Sequence, residues 1–272
     1  MNTTTKELQE KVLKLFNEGK IARFIGYEQG SLPYKTRPCI ITKKEDVKRL
    51  IFNIFCVNNL SAYLRGSSDK TGIIANVCTL RSIVMLIQQK QVIPENIHII
   101  AANCPGMINE DTIKGLSLMK IRSFEDKDDN FVIITADGEK EFNKTDFLYD
   151  KCRTCNHELP KIYQDLIGEE IPVSCKPGDE YAFINEMEKM PADKRWELWN
   201  KEFSKCIRCY ACRNVCPVCF CKECMVSKTM PQWVSKLNQP STNEFYNLMR
   251  IIHVLGRCTD CGECERVCPA KG

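Results

Sequence analysis

The chain has no long apolar run. Its longest mostly apolar stretches, residues 51–57 and 83–87, fall far short of the roughly 20 residues a transmembrane helix needs, so no membrane span is expected. The opening MNTTTKELQEKVLKLFNEGK is charged and amphipathic, without the apolar centre of a secretory signal, which points to a cytoplasmic protein. No run of five or six like charges occurs and the net charge is only +4, so no nucleic-acid partner is expected. No G-x-G-x-x-G dinucleotide fingerprint is present. Histidine is scarce: His98, His157 and His253 stand alone on a strand, in a loop and in a helix, with no nucleophile beside them. Hydrolytic and acyl-transfer chemistry are therefore not read, and structural roles are expected for all three.

Cysteine is what the chain has in excess, 18 in 272 residues. In a reducing compartment that number argues for metal ligation before disulfides. Cys39, Cys56, Cys78, Cys104, Cys152, Cys155 and Cys175 are scattered, and the other eleven crowd between Cys206 and Cys268. This shift predicts an α/β domain over 1–175, a helical connector over 176–203 and a small cysteine-rich α+β domain over 204–272. In the connector, DEYAFINEMEKM and ADKRWELWNKEFSK read as helices broken at Pro191, with Trp196, Trp199 and Phe203 as a packing stripe.

In the first domain Leu8, Val12, Leu13 and Phe16 recur at helical spacing, with Gly19 as C-cap, and IARFIGY follows as a strand. Thr42 and Glu45 have capping-box spacing, which predicts a helix through DVKRLIFNIFCVNNLSAYL. GIIANV, SIVMLIQQK and NIHIIAAN read as strand, helix and strand, a βαβ unit that sets two strands parallel in a mixed sheet. FVIITADGEKEF reads as a hairpin turning through Asp137-Gly138 in type I′ geometry.

CIRCYACRNVCP and CTDCGECERVCP both match C-x2-C-x2-C-x3-C-P, the run found in two-cluster bacterial ferredoxins. Three thiolates on one tight loop reach three irons of a cubane, and the fourth serves the other cluster. This assigns Cys206, Cys209, Cys212 and Cys268 to one 4Fe-4S cluster, and Cys258, Cys261, Cys264 and Cys216 to a second. Zinc sites more usually pair two C-x2-C units. Arg208, Arg213, Lys222, Arg257 and Arg266 are basic residues placed to offset cluster charge, and each reads equally as a solvated loop charge. Between the motifs lies an insertion, 219–257, with a helix at FYNLMRIIHVL and three more thiols, Cys219, Cys221 and Cys224. A further metal there would need a fourth ligand, with Cys39, Cys56 or Cys175 as candidates; supporting thiols are the plainer reading.

A third 4Fe-4S site follows from the fold logic. Cys78 and Cys104 each follow a strand of the βαβ unit, so they share the carboxyl edge of the sheet, where such folds hold ligands. Cys78 also sits at the positive end of its helix, which favours thiolate. Cys152 and Cys155 in KCRTCNHELP complete a set of four.

GIIANVCTLRSIVMLIQQKQV, IIAANCPGM and CRTCNHELPKIYQDLIGE resemble the beta-subunit family of deazaflavin-coenzyme (F-420) hydrogenase and formate dehydrogenase. The tail is similar to the dicluster ferredoxin module attached to many members, which often sit beside heterodisulfide-reductase-type complexes in anaerobes. The resemblance implies a cluster at Cys78, Cys104, Cys152 and Cys155. For flavin-bearing members it also implies FAD near the same sheet edge; Lys70, Thr71 and Arg81 could touch a phosphate or a flavin edge, and each reads equally as an exposed loop or helix residue. The function expected is an iron-sulfur electron-transfer subunit of an anaerobic oxidoreductase complex. It would relay single electrons between a catalytic partner (formate dehydrogenase, hydrogenase or heterodisulfide-reductase-like) and a flavin or ferredoxin. The alternative is an FAD-containing subunit acting on a deazaflavin or nicotinamide coenzyme. Other redox subunits, a ferredoxin or a flavoprotein are the partners expected under either.

Overall fold

The structure is a computed structural model and describes residues 3–116, 121–127, 129–155, 158–168 and 181–270. The chain divides into two units, Met1–Lys176 and Pro177–Gly272. His157 and Cys175 lie outside the described residues.

In the first unit, helix α1 (Thr3–Asn17) leads into strands β1 (Arg23–Gln29), β2 (Thr36–Ile41), β3 (Leu50–Ile51) and β4 (Thr71–Ala75). Helix α2 (Val77–Gln88), strand β5 (Ile97–Ala102) and short helix α3 (Glu110–Gly115) follow. Next come strands β6 (Ser123–Asp126), β7 (Asn130–Thr135) and β8 (Gly138–Asn143), helix α4 (Asp150–Arg153) and strand β9 (Asp165–Ile167). The main sheet has the order β2-β1-β4-β5-β9, with β3 also on β1. β1, β4, β5 and β9 run parallel, while β2 and β3 pair antiparallel to β1. The fold class is thus α/β with a mixed sheet, and the βαβ unit is β4-α2-β5.

Every residue of β4 is buried, as expected of a central parallel strand with both faces covered. Gly72 is needed there: a Cβ would lie 2.5 Å from the Phe24 ring on β1. α1 buries Leu8 and Val12 as expected, whereas Leu13 faces solvent and Leu15 takes its place on the buried face. Gly19 takes a left-handed φ of 64°, as a C-cap requires.

The helix expected after Glu45 does not form. Residues 44–49 make a 3-10 turn without a side-chain cap, β3 follows, and a second 3-10 turn spans Leu60–Leu64. Leu50, Phe52, Ile54, Phe55, Cys56 and Val57 are all buried, so the segment has no solvent face to give it helical period. Asn53 and Asn59 accept from the backbone N–H of Phe55 and Ser61, local bonds that compete with a helix. The β7–β8 hairpin is also displaced by one residue: Thr135 pairs with Gly138, so Ala136-Asp137 is the two-residue loop. The positive φ falls on Gly138 (130°) alone, so the turn is not type I′.

The second sheet, β6-β7-β8, covers an aromatic cluster in which Phe55, Ile108, Phe131 and Phe147 are buried. Its outer strand β8, GEKEFN, is exposed at all positions but one.

In the second unit, α5 (Ala182–Lys189) and α6 (Ala192–Ser204) are separated at Pro191. Phe203 is buried and stacks on Trp199 at 6.1 Å, while Trp196 is exposed, so only the end of the expected stripe packs. α7 (Ala211–Val215), α8 (Pro240–Val254) and α9 (Glu263–Arg266) complete it, with α7 against α9 and α6 against α8. No helix among the described residues is long and apolar enough to cross a membrane.

Candidate metal centres

At the carboxyl edge of the main sheet, Asn76 caps α2 by accepting from Thr79 N–H (3.2 Å), which puts Cys78 in the first helical turn. Buried Asn59 holds that turn from outside, donating to Cys78 O at 3.3 Å and to Ser82 Oγ at 2.8 Å. Beyond β5, Cys104 is followed by Gly106, whose φ of 109° suits glycine. A Cβ there would lie 2.7 Å from Leu148 Cδ2 and 3.5 Å from Cys152 Cβ, so the glycine lets the Cys104 loop and α4 approach. Tyr149 N–H donates to Met107 O (3.1 Å) and Asn109 N–H to Phe147 O (2.7 Å), joining the two segments. Met107 N–H points at Cys152 Sγ at 3.5 Å.

These elements bring the four thiols together: Cys104 interacts with Cys152, Cys78 and Cys155. Burial first, then those neighbours, push the Cys104 thiol well above the ordinary range, and burial also raises Cys152. Deprotonating such a group requires compensating positive charge, and binding to a cationic centre supplies it by displacing protons.

Cys39 and Cys56 are different. Both are buried in this unit and pushed up to about 12, by burial in each case. Cys39 faces Glu28, which is held by Arg37 (2.8 Å) and Arg49 (2.9 Å); Asn53 N–H lies 3.4 Å from Cys56 Sγ. They are core thiols of the first unit. In the second unit Cys219 interacts with Cys216, Cys221 and Cys224 within its own segment. Thr71, weighed against a flavin, is buried on β4 and accepts from Arg23 Nε at 3.0 Å. His98 bonds Asp165 Oδ2 at 2.7 Å across β5 and β9, and His253 lies in α8, a helix position as expected.

In the second unit the two cysteine motifs share one backbone. Arg208 (φ 51°) and Asp260 (φ 50°) occupy the same motif position, as do Tyr210 (φ 62°) and Gly262 (φ 64°). Such alternation turns successive N–H groups inward into an anion-binding concavity; Arg208 N–H lies 3.4 Å from Cys206 Sγ. Each third cysteine then starts a short helix, α7 or α9, and each fourth follows its end.

A cavity of about 250 Å³ is lined by Cys206, Cys209, Cys212 and Cys268, by Cys264 of the second motif, and by Tyr246 and Arg250. The crossing is mutual, because Cys216 interacts with Cys264 and Cys258 of the other motif. Among the described residues no group of three or more His, Cys, Asp or Glu side chains could hold a single metal ion. A cubane differs in kind, spreading its four ligands over its corners.

Four of the five basic residues named from the sequence turn elsewhere. Arg208 bonds Ser235 O and Leu237 O, Arg213 lies over the Tyr210 ring (4.8 Å), Arg257 over Phe220 (5.3 Å), and Arg266 pairs with Glu263 (2.8 Å). The cation facing the thiols is Arg250, which the motifs do not contain. Its signal was available: Asn243, Tyr246 and Arg250 lie at i, i+3 and i+7 on one face of α8.

Residues 202–271 match the family of 4Fe-4S dicluster domains. The chain is similar to F420-dependent formate dehydrogenase 1 subunit beta of Methanococcus maripaludis, 23% identical over 280 residues, covering 78% of this chain and 71% of that protein. It is also similar to the F420-dependent formate dehydrogenase subunit beta of Methanocaldococcus jannaschii, 22% identical over 308 residues, covering 90% and 80%. Among solved structures, a chain of the F420-reducing NiFe hydrogenase complex from Methanosarcina barkeri aligns with a TM-score of 0.48 at 14% identity, over 74% of this chain and 90% of that one. The relatives are therefore beta subunits of the kind the sequence motifs resemble, and the tail is a dicluster domain.

Proposed function

We propose that this chain is the iron-sulfur electron-transfer subunit of an oxidoreductase complex. It relays single electrons between a catalytic partner (formate dehydrogenase, hydrogenase or heterodisulfide-reductase-like) and a flavin or ferredoxin. Cys206, Cys209, Cys212 and Cys268 hold one 4Fe-4S cluster, Cys258, Cys261, Cys264 and Cys216 a second, and Cys78, Cys104, Cys152 and Cys155 a third. The observation that carries the reading is the mixing of thiols from the two motifs: Cys264 and Cys268 share a cavity with Cys206, Cys209 and Cys212, while Cys216 faces Cys258 and Cys264.

The donor sets fit the group: four thiols each, with inward N–H groups from Arg208 and Met107 and partial burial. When bound, such clusters supply one-electron redox chemistry at potentials set by hydrogen bonds, charge and exposure. The chain contributes thiolate ligation, orientation of the loops, and limited water access. Partner subunits are supported by large apolar side chains left exposed in the second unit, including Met230, Trp233, Leu237 and Leu255.

The second reading, an FAD-bearing subunit acting on a deazaflavin or nicotinamide, draws on a cavity of about 780 Å³ beside Gly30, Asn53, Phe55 and Phe124. Its volume is ample for a cofactor. Its lining suits a diphosphate poorly, with Arg122 against Glu125 and Asp126. The relay reading therefore leads.

The test is anaerobic purification of the full chain with iron, sulfide and released flavin counted together. About twelve irons and no flavin are expected. One flavin per chain would move the assignment to the second reading, and iron-free protein would overturn both.

A further inference from the structure

α8 belongs to the insertion between the motifs, yet three of its side chains serve the first motif's loop. Asn243 Nδ2 donates to Cys206 O at 2.7 Å, and Arg250 Nη2 donates to Cys212 O at 3.1 Å. Tyr246 Oη lies 3.4 Å from Cys212 Sγ, with its ring buried edge-on against Tyr210 at 5.3 Å. Arg250 Nε is buried without a hydrogen-bond partner, and no carboxylate pairs with this guanidinium among the described residues. It instead faces the thiols of Cys212, Cys216 and Cys264, one from the first ligand set and two from the second. A half-buried guanidinium loses part of its hydration and is stabilised where negative charge answers it. Here the groups able to answer are cluster ligands of both sets.

We propose that α8 sets the reduction potentials of the two dicluster-domain centres, with Arg250 as the positive charge between them and Tyr246 as a donor to one ligand sulfur. The proposal rests on the ligand assignment above. Reduction adds negative charge to a cluster, so a fixed cation and an O–H···S bond both stabilise the reduced form and raise the potential. Arg250 acts on both centres and Tyr246 on one. Asn243 is a positioning residue that fixes the loop.

The experiment is stepwise reduction of the anaerobic full chain followed by electron paramagnetic resonance, with iron counted for wild type, Arg250→Met, Arg250→Lys and Tyr246→Phe. Arg250→Met should make both centres at least tenfold harder to reduce, about 59 mV for one electron. Arg250→Lys should keep most of the wild-type behaviour. Tyr246→Phe should shift one centre only, by a few-fold, to the negative side. Unchanged midpoints in Arg250→Met at full iron would overturn the proposal. If that variant loses iron, Tyr246→Phe decides, and no shift in either centre would overturn it. Wild-type protein with iron but the wrong shifts sinks only this inference, whereas wild-type protein without iron sinks the ligand assignment beneath it.

Discussion

In the first unit the four grouped thiols come from three distant places in the chain, and Cys104 and Cys152 are each only 9% exposed. In the second unit the thiols come in two contiguous motifs and most remain partly or fully exposed. The first group exists because strands β4 and β5 lie side by side and Gly106 lets α4 approach. The second exists because left-handed residues at two fixed positions curl each loop around its own centre. One arrangement is a product of tertiary packing and the other of local chain geometry. They should therefore fail differently.

The largest expected effect separates their occupancy. Cys104→Ala should remove about four of twelve irons and leave the signals of the dicluster domain intact, as should Cys78→Ala. Cys206→Ala should do the converse. Iron, sulfide and resonance spectra check this, and equal losses in both regions would erase the distinction.

Next comes backbone tolerance. Gly106→Ala forces a side chain into a φ of 109° and against Leu148, and should cost about 1–3 kcal/mol with loss of first-unit iron. Gly262→Ala should cost about 1 kcal/mol, because the equivalent Tyr210 already holds that conformation with a side chain. Thermal unfolding of both variants measures the difference.

A smaller effect depends on pH. Cys39 and Cys56 have folded values raised from 9.0 to about 12, so the folded first unit holds their protons more tightly than the unfolded chain. Their contribution is complete below about pH 9 and is lost as pH rises towards 12. Denaturant unfolding from pH 8 to 11 should show declining stability, with a shallower decline in Cys56→Ala. The smallest effect is Cys39→Val, which should leave iron unchanged and alter stability by less than about 1.5 kcal/mol.

The same contrast explains what the sequence disclosed. The dicluster motifs could be read directly because seven residues of spacing define each loop. The first-unit set could be read only through the strand runs that place Cys78 and Cys104 on one edge, and those runs were apolar and β-branched enough to be plain. Residues 50–57 misled because burial on all sides leaves no period, and Asn53 and Asn59 take local bonds that no spacing rule predicts. Arg250 was legible only as part of one face of α8, because its closeness to the thiols depends on where that helix is laid.

Strand β8 offers an unpaired backbone rim, the sort of ledge onto which a stray polypeptide can ratchet and seed fibrils. Glu139, Lys140 and Glu141 stud that rim with alternating ions. The small sheet thus repels imitation of itself.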